Sequence, residues 1–261
     1  MLSKNKDQQS ILNKLGIEKL NQMQQDAHKA ILANSEIVLL SPTGTGKTLA
    51  FLLPILAELD PQSDQVQVLI LVPSRELAIQ IEQVIREMGS GFKTNAVYGG
   101  RAGSKDKIEL KHLPAILIGT PGRIADHIRR QTISTDGIKT LVLDEFDKSL
   151  EIGFEKEMRE IISALTSLRK KILTSATQRI EIPDFIGIKQ PEKLNYLSDE
   201  QNLLNLKTIV SPTREKLDTL EKLLGHLGEA SGIVFCNFKD TIQIVSDFLK
   251  KKKIGHACFY G

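Results

Sequence analysis

The chain has 261 residues, 41% hydrophobic and 26% charged, which excludes a disordered chain of low hydrophobicity and high net charge. With 18 Gly and 9 Pro it is neither collagen-like nor low-complexity, and its length allows one large domain or nearly two at roughly 100–200 residues each. Lys and Arg number 35 against 32 Asp and Glu, and this formal charge of +3 permits nucleic acid without requiring it.

Short apolar runs recur along the chain, each followed by a helical pattern. Ile37 to Leu40 leads into a Gly-rich turn and an apolar helix over Leu49–Leu59. Val66 to Val72 leads into a helix over Arg75–Met88, with apolar residues at Leu77, Ile81, Val84 and Ile85. Ala115 to Ile118 precedes a helix from Ile124 to Arg130, Thr140 to Leu143 ends in acidic residues, and Lys171 to Thr174 ends in Ser175-Ala176-Thr177. The runs are continuous rather than alternating, as in strands buried on both faces. Strand–helix repetition then predicts an α/β fold, a mostly parallel sheet with helices on both faces, whose ligands bind beyond the carboxyl ends of the strands.

Pro191 and the polar stretch Ser198 to Asn202 read as a break, from Gln190 to Leu206. A second series comes after it: strands at Thr208–Val210 and Gly232–Cys236, a helix opening at Ser211-Pro212-Thr213, another ending in Lys250 to Lys253, and a possible third strand over Ile254–Phe259. The lysine run reads as a solvated helix C-terminus, favoured by the helix dipole. The expected domains are 1–198, a linker over 199–204, and 205–261.

Ser41-Pro42-Thr43-Gly44-Thr45-Gly46-Lys47-Thr48 succeeds a strand and opens a helix, the context of a phosphate-binding P-loop. Gly44 and Gly46 let backbone N–H groups turn toward an anion, and the helix N-terminus adds its dipole. Lys47 would reach the β- and γ-phosphates, and Thr48 would ligate Mg²⁺. Ser41 stands where the general pattern has its first Gly. Asp144 and Glu145 end a buried strand, as a Walker-B site needs: Asp144 to hold Mg²⁺ and Glu145 to deprotonate an attacking water.

Asp144-Glu145-Phe146-Asp147 resembles the signature of the DEAD-box RNA helicases, with Phe146 in place of alanine. Other pieces stand in that family's order. Gly16 to Gln24 is similar to its Q motif, Pro73-Ser74-Arg75-Glu76 to motif Ia, Gly99-Gly100 to the glycine doublet and Thr120-Pro121-Gly122-Arg123 to motif Ib. Ser175-Ala176-Thr177 is similar to motif III, and Ile233 to Asn237 to motif IV.

The resemblance implies a RecA-like lobe followed by part of a second one, and an ATP-dependent RNA helicase, an enzyme using ATP and Mg²⁺. It implies that Gln24 reads adenine, with Thr43, Gly44, Thr45, Gly46, Lys47 and Thr48 around the phosphates; Gln22 and Gln25 lie close enough to take the adenine role. It places Pro73, Arg75, Gly99, Gly100, Thr120, Pro121, Gly122 and Arg123 along the RNA backbone. Phe 9, Tyr 3 and Trp 0 agree with backbone tracking rather than base stacking. Asp147, Ser175 and Thr177 would link nucleotide state to lobe closure. After Leu206 the only arginine is Arg214, so the family's arginine finger is missing, and the chain is expected to be a fragment that lacks the remainder of its second lobe.

Cys236 and Cys258 are too few for a disulfide scaffold and are not spaced as a zinc site, which points to a cytoplasmic protein. The polar start lacks a signal-peptide stretch, and no run nears the ~20 apolar residues of a membrane span, so no membrane partner is expected. Two other readings stay open: a nucleotide-gated RNA clamp or annealing protein without required turnover, and a DNA-directed P-loop helicase. RNA target and accessory proteins are not legible.

Overall fold

The computed structural model describes residues 8–100, 106, 108, 110–177, 181–197, 207–212, 214–228 and 230–259. The chain divides into two compact units, Met1–Asp199 and Glu200–Gly261. The expected linker over 199–204 lies outside the described residues.

The described strands of the first unit are β1 (Glu36–Leu40), β2 (Val68–Leu71), β3 (Thr94–Val97), β4 (Ile116–Gly119), β5 (Thr140–Leu143), β6 (Lys170–Ser175) and β7 (Glu192–Asn195). They form one sheet in the order β3-β4-β2-β5-β6-β1-β7, and every neighbouring pair is parallel. The helices are α1 (Gln8–Lys14), α2 (Gln22–Ala33), α3 (Lys47–Glu58), α4 (Arg75–Met88), α5 (Pro121–Arg129), α6 (Phe146–Ile152) and α7 (Glu155–Ala164). This is the parallel α/β sheet expected from the strand–helix repetition, in the RecA-like form that the resemblance implies.

The continuous apolar runs have a physical cause. Successive side chains of a strand point to opposite faces, so a strand covered on both sides must be apolar at every position. Ile37, Leu39, Val68, Ile70, Ile116, Ile118, Val142 and Ile172 enter a core with residues of α1 to α4. Val38, Leu69, Leu71, Leu117, Leu141, Leu143 and Leu173 enter a second core with Ile124 of α5, Phe146 of α6 and Met158 of α7.

Two strands depart from the sequence reading. β3 has no apolar run, and it forms because it pairs with β4 and packs beside α4. β7 falls in the stretch read as a break. It lies on the outer edge of β1, with Leu39 opposite Leu194, and is anchored by the Glu36 carboxylate, which accepts the N–H groups of Lys189 and Gln190 at 2.9 and 3.0 Å. Its polar residues face solvent at the sheet edge, where such residues discourage pairing with another chain.

In the second unit two helices are described, α8 (Leu217–Leu227) and α9 (Lys239–Lys251). The strands expected at Thr208–Val210, Gly232–Cys236 and Ile254–Phe259 are not among its described elements. A strand needs a partner ladder and a covered face, and here Val210, Ile233 and Phe235 are 85%, 81% and 89% exposed. The first helix opens at Leu217, not at Ser211, and the lysine run closes α9, where Lys252 pairs with Glu221 at 2.7 Å. Among the described residues no helix is long and apolar enough to cross a membrane.

Gly119 closes β4 and leads into α5. A Cβ there would lie 2.7 Å from the Val97 carbonyl oxygen and 2.8 Å from Ile124 Cδ1. Overpacking of this kind costs about 1–3 kcal/mol. Gly119→Ala is therefore expected to lower the melting temperature of the first unit by several degrees, and an unchanged melting curve would contradict this packing.

Candidate active site

Parallel pairing brings three strand ends together. β6 lies between β1 and β5, so the loop after β1, the acidic residues after β5 and the hydroxyl residues at the end of β6 are neighbours. Ser41 N–H donates to the Ser175 carbonyl at 3.1 Å and so continues the β1–β6 ladder into the loop.

The loop from Ser41 to Gly46 turns twice through left-handed backbone. Gly44 has φ 79° with no atom within 4 Å of a built Cβ, so its need for glycine is conformational. Gly46, with φ 87°, also meets Gln24 Nε2 at 2.4 Å from a built Cβ, so it is needed for close approach as well. Thr45 Oγ1 donates to the Pro42 carbonyl at 2.8 Å and lies 2.7 Å from Ser41 Oγ, which braces the loop across its width. Ser41, where the general pattern has glycine, thus has a structural use. Lys47 opens α3, is only 7% exposed, and donates from Nζ to the carbonyls of Ser41 and Pro42 at 2.6 and 2.8 Å. Burial holds its pKa below the usual lysine range, against the pull of Asp144, Glu145 and Asp147.

Asp144 lies just beyond the last β5 residue and is 3% exposed. Burial pushes its carboxyl up to about 6, and Glu145 adds to the rise; the Thr174 hydroxyl, which donates to Asp144 Oδ1, works against it. Glu145 comes next with φ 49° and ψ 49°, left-handed geometry that an ordinary side chain rarely adopts and that concentrates at functional sites. Asp147, 1% exposed on α6, accepts from Thr177 Oγ1 at 3.1 Å. Ser175 does not reach Asp147: its hydroxyl donates to the Thr177 carbonyl at 3.0 Å and accepts the Thr177 N–H at 2.9 Å, closing a tight turn. Of Ser175 and Thr177, grouped with Asp147 by the resemblance, only Thr177 brings its hydroxyl to Asp147.

Gln24 is buried at the start of α2. Its Oε1 accepts the Asn21 N–H at 3.0 Å, and Asn21 Oδ1 accepts the Gln24 N–H at 2.9 Å, a reciprocal capping box. Gln24 Nε2 donates to the Gly46 carbonyl at 3.2 Å, and Asn21 Nδ2 donates to the Thr45 carbonyl at 3.0 Å. Each end of the Gln24 amide therefore holds one partner within the protein, and one of its two N–H groups and one of its two oxygen lone pairs remain for a further contact. Gln22 is bonded to Asp26, and Gln25 to the Leu20 carbonyl.

A cavity of about 560 Å³ opens here, lined by Thr43, Gly44, Gly46, Lys47 and Thr48 with Asp144 and Glu145, and walled by aliphatic residues including Leu15, Ile17 and Leu77. Its size suits a nucleotide. Among the described residues no group of three or more His, Cys, Asp or Glu stands together as a metal site. The donor set that does exist, two carboxylates and the Thr48 hydroxyl, fits Mg²⁺, which takes one or two carboxylates and completes its shell with phosphate oxygens and water.

The residues expected along RNA fall on a different part of the unit. Thr120 stands at the N-cap of α5 with Pro121 in the first turn, and its carbonyl accepts the N–H groups of Arg123 and Ile124 at 3.0 and 3.1 Å. Gly100 Cβ, if built, would lie 4.0 Å from Arg75 Nη1, so the glycine doublet and Arg75 are neighbours, and Pro73 precedes Arg75 by two residues. Arg75 is exposed and bonded to Glu76 at 2.5 Å. Arg123 is mostly buried: it donates from Nε to Asp106 Oδ2 at 2.7 Å, and Asp106 also meets His127 Nε2 at 3.1 Å. Its placement is that of a buried ion pair supporting α5, while Thr120 and Gly122 stand at the helix start.

A family model for the DEAD/DEAH box helicase matches residues 21–185. The chain belongs to the DEAD/DEAH box helicase family. It is 31% identical over 249 residues to the DEAD-box ATP-dependent RNA helicase CshA of Bacillus subtilis, covering 93% of this chain and 50% of the relative. It is 33% identical over 246 residues to the ATP-dependent RNA helicase DbpA of Escherichia coli, covering 92% of this chain and 54% of the relative. The chain thus spans about half the length of these curated relatives. The crystal structure of a DEAD box protein from the hyperthermophile Methanococcus jannaschii is similar, with a TM-score of 0.67 and 28% identity, covering 96% of this chain and 69% of that one.

Family membership draws the loop, the acidic pair and the Ser175-Ala176-Thr177 turn into one helicase lobe, but sequence reasoning missed some of the groups that hold it. Thr174 supports both acidic residues, and Asn21 ties α2 to the phosphate loop. Asn21 carried a readable signal, since Asn followed three residues later by Gln marks a capping box. Thr174 carried none, because its partners come from another strand.

The raised Asp144 pKa has a stability consequence. Its unfolded value is 3.8 and its folded value about 6, so the folded helicase lobe binds the proton more tightly, and stability falls as pH rises from about 4 to about 6. Removing the charge should relieve this. Asp144→Asn is expected to stabilise the metal-free chain by about 1–3 kcal/mol at pH 8, a gain that fades as pH falls toward 4. Urea unfolding at both pH values checks it; a gain equal at both, or none at pH 8, would count against a buried carboxylate of raised pKa.

Proposed function

We propose that the chain is the ATP-binding lobe, together with part of a second lobe, of an ATP-dependent RNA helicase: an enzyme that couples RNA-stimulated ATP hydrolysis to local duplex unwinding. The observation that carries this reading is the joint lining of one cavity by Lys47, Thr48, Asp144 and Glu145. Phosphate-binding, metal-binding and water-activating groups seldom converge without that use.

In this reading the backbone N–H groups of Thr43 to Lys47 cradle the phosphates, and Lys47 exchanges its loop carbonyls for β- and γ-phosphate oxygens. Thr48 and Asp144 hold Mg²⁺, which when bound neutralises phosphate charge. Glu145 orients and deprotonates the attacking water. Asp147 and Thr177 link the acidic strand end to the turn after β6. The start of α5, Gly99-Gly100, Pro73 and Arg75 face the RNA backbone, where contacts to phosphate and 2′-OH give affinity without sequence selection. Two relatives named as ATP-dependent RNA helicases support RNA over DNA. Turnover by this chain alone is expected to be slow: an arginine finger contributes roughly 10³–10⁵ in rate, and Arg214 is the only arginine after Leu206.

Lys47→Ala is expected to lose ATP affinity by at least about tenfold in equilibrium binding, as a phosphate-bound charge is removed. Glu145→Gln should keep ATP affinity while its cleavage rate drops roughly 10²–10⁴-fold. ATP binding untouched by Lys47→Ala would sink the nucleotide site; unchanged cleavage by Glu145→Gln would sink the base. Competition between RNA and DNA strands at one salt concentration tests the nucleic-acid assignment, because salt alone moves affinity strongly. Preference for DNA would favour the DNA-directed alternative.

A further inference from the structure

Thr174 has no role in the sequence motifs, yet among the described residues its hydroxyl is the one side-chain group seen bonded to both Asp144 and Glu145. It sits on β6, 0% exposed. The register pairs Leu143 with Leu173, so Thr174 and Asp144 are the next positions along adjacent strands. The hydroxyl has one proton and donates it to Asp144 Oδ1, while its oxygen accepts the Glu145 N–H at 3.1 Å. An N–H can only donate, so these directions are forced when the carboxylate is ionised.

This single atom acts in two ways. Anchoring Oδ1 restricts rotation of the Asp144 carboxylate and leaves Oδ2 as the oxygen this hydroxyl does not hold. Accepting the Glu145 N–H anchors the backbone of a residue at φ 49°, a conformation that a non-glycine residue keeps only where the surroundings hold it. The β6 backbone is paired on both sides, with β1 and β5, so the hydroxyl is not needed to complete its own strand.

We propose that Thr174 is a positioning residue of the nucleotide site: its hydroxyl sets both the orientation of the Asp144 carboxylate toward the metal-bearing nucleotide and the backbone direction from which Glu145 enters the cavity. This rests on the ATP–Mg²⁺ reading given under Proposed function. Partners that orient a metal-binding group typically change metal affinity or activity 10–100-fold when removed.

The test compares the full chain with Thr174→Val, which keeps shape and loses the hydroxyl, and Thr174→Ser, which keeps the hydroxyl. A fluorescent ATP analogue is titrated with and without Mg²⁺, and ATP cleavage is followed under single-turnover conditions. Thr174→Val is expected to bind the analogue as the parent does without Mg²⁺, while the affinity gained from Mg²⁺ and the cleavage rate at saturating nucleotide each fall about tenfold or more. Thr174→Ser should restore both to within about threefold. Thr174→Cys, with only a weak S–H donor, carries the same expectation as Thr174→Val should the valine variant fail to fold. Parent-like Mg²⁺ dependence and cleavage in the hydroxyl-free variants, or a serine variant as impaired as the valine one, overturns the proposal. A parent chain whose nucleotide binding ignores Mg²⁺ would instead overturn the ATP–Mg²⁺ reading, and this inference with it.

Discussion

The constraint on which the site depends is the parallel insertion of β6 between β1 and β5. Parallel strands carry their carboxyl ends to one edge of the sheet, and direct adjacency sets the ends a single inter-strand spacing apart. The loop holding Lys47, the acidic pair at Asp144-Glu145 and the hydroxyls of Thr174 and Thr177 come from segments that lie far apart along the chain. An antiparallel meander of the same strands would send alternate ends to opposite edges and separate them. The apolar runs make this sheet possible: strands apolar on both faces need cover on both faces, and crossover helices supply it while keeping the strands parallel.

Burial at this edge has opposing effects. Lys47 and Asp144 are both taken out of water; burial disfavours the charged form of each, and their opposite charges offset part of that cost. Glu145 is held in left-handed backbone at the same place. A folded chain selected only for stability would not gather a buried lysine, a buried carboxylate and a strained glutamate around an open cavity. In the proposed reading, this coexistence is what a nucleotide site would require, its groups set in place before the ligand binds.

Support for the site is built from hydrogen bonds that also set local structure. The capping box at Asn21 and Gln24 starts α2 and fastens it to the phosphate loop in the same stroke. The Thr177 hydroxyl closes on Asp147 while Ser175 shapes the turn between them. Arg123 and His127 share Asp106 beneath the start of α5, so the helix whose first turn bears Thr120 and Gly122 is braced from inside. Side chains that read as ligand contacts by motif, such as Gln24 and Arg123, are thereby scaffold members as well.

What the sequence by itself determined was whatever depends on neighbours along the chain. Binary pattern showed the buried strands β1, β2, β4, β5 and β6; the Gly-Lys-Thr turn between a strand and a helix showed the phosphate loop; Thr120-Pro121 showed a helix start. Tertiary structure decided what depends on neighbours across it. Thr94–Val97, without an apolar run, and the mostly polar Glu192–Asn195 became strands by pairing with β4 and β1, while among the described residues the apolar segments around Ile233 and Phe235 have no ladder and are exposed. Thr174 gained its two partners from the register of β6 against β5. Hydrophobic period is a local property, whereas pairing, register and the direction of a hydroxyl are set by segments far apart in sequence, and only the folded chain brings those together.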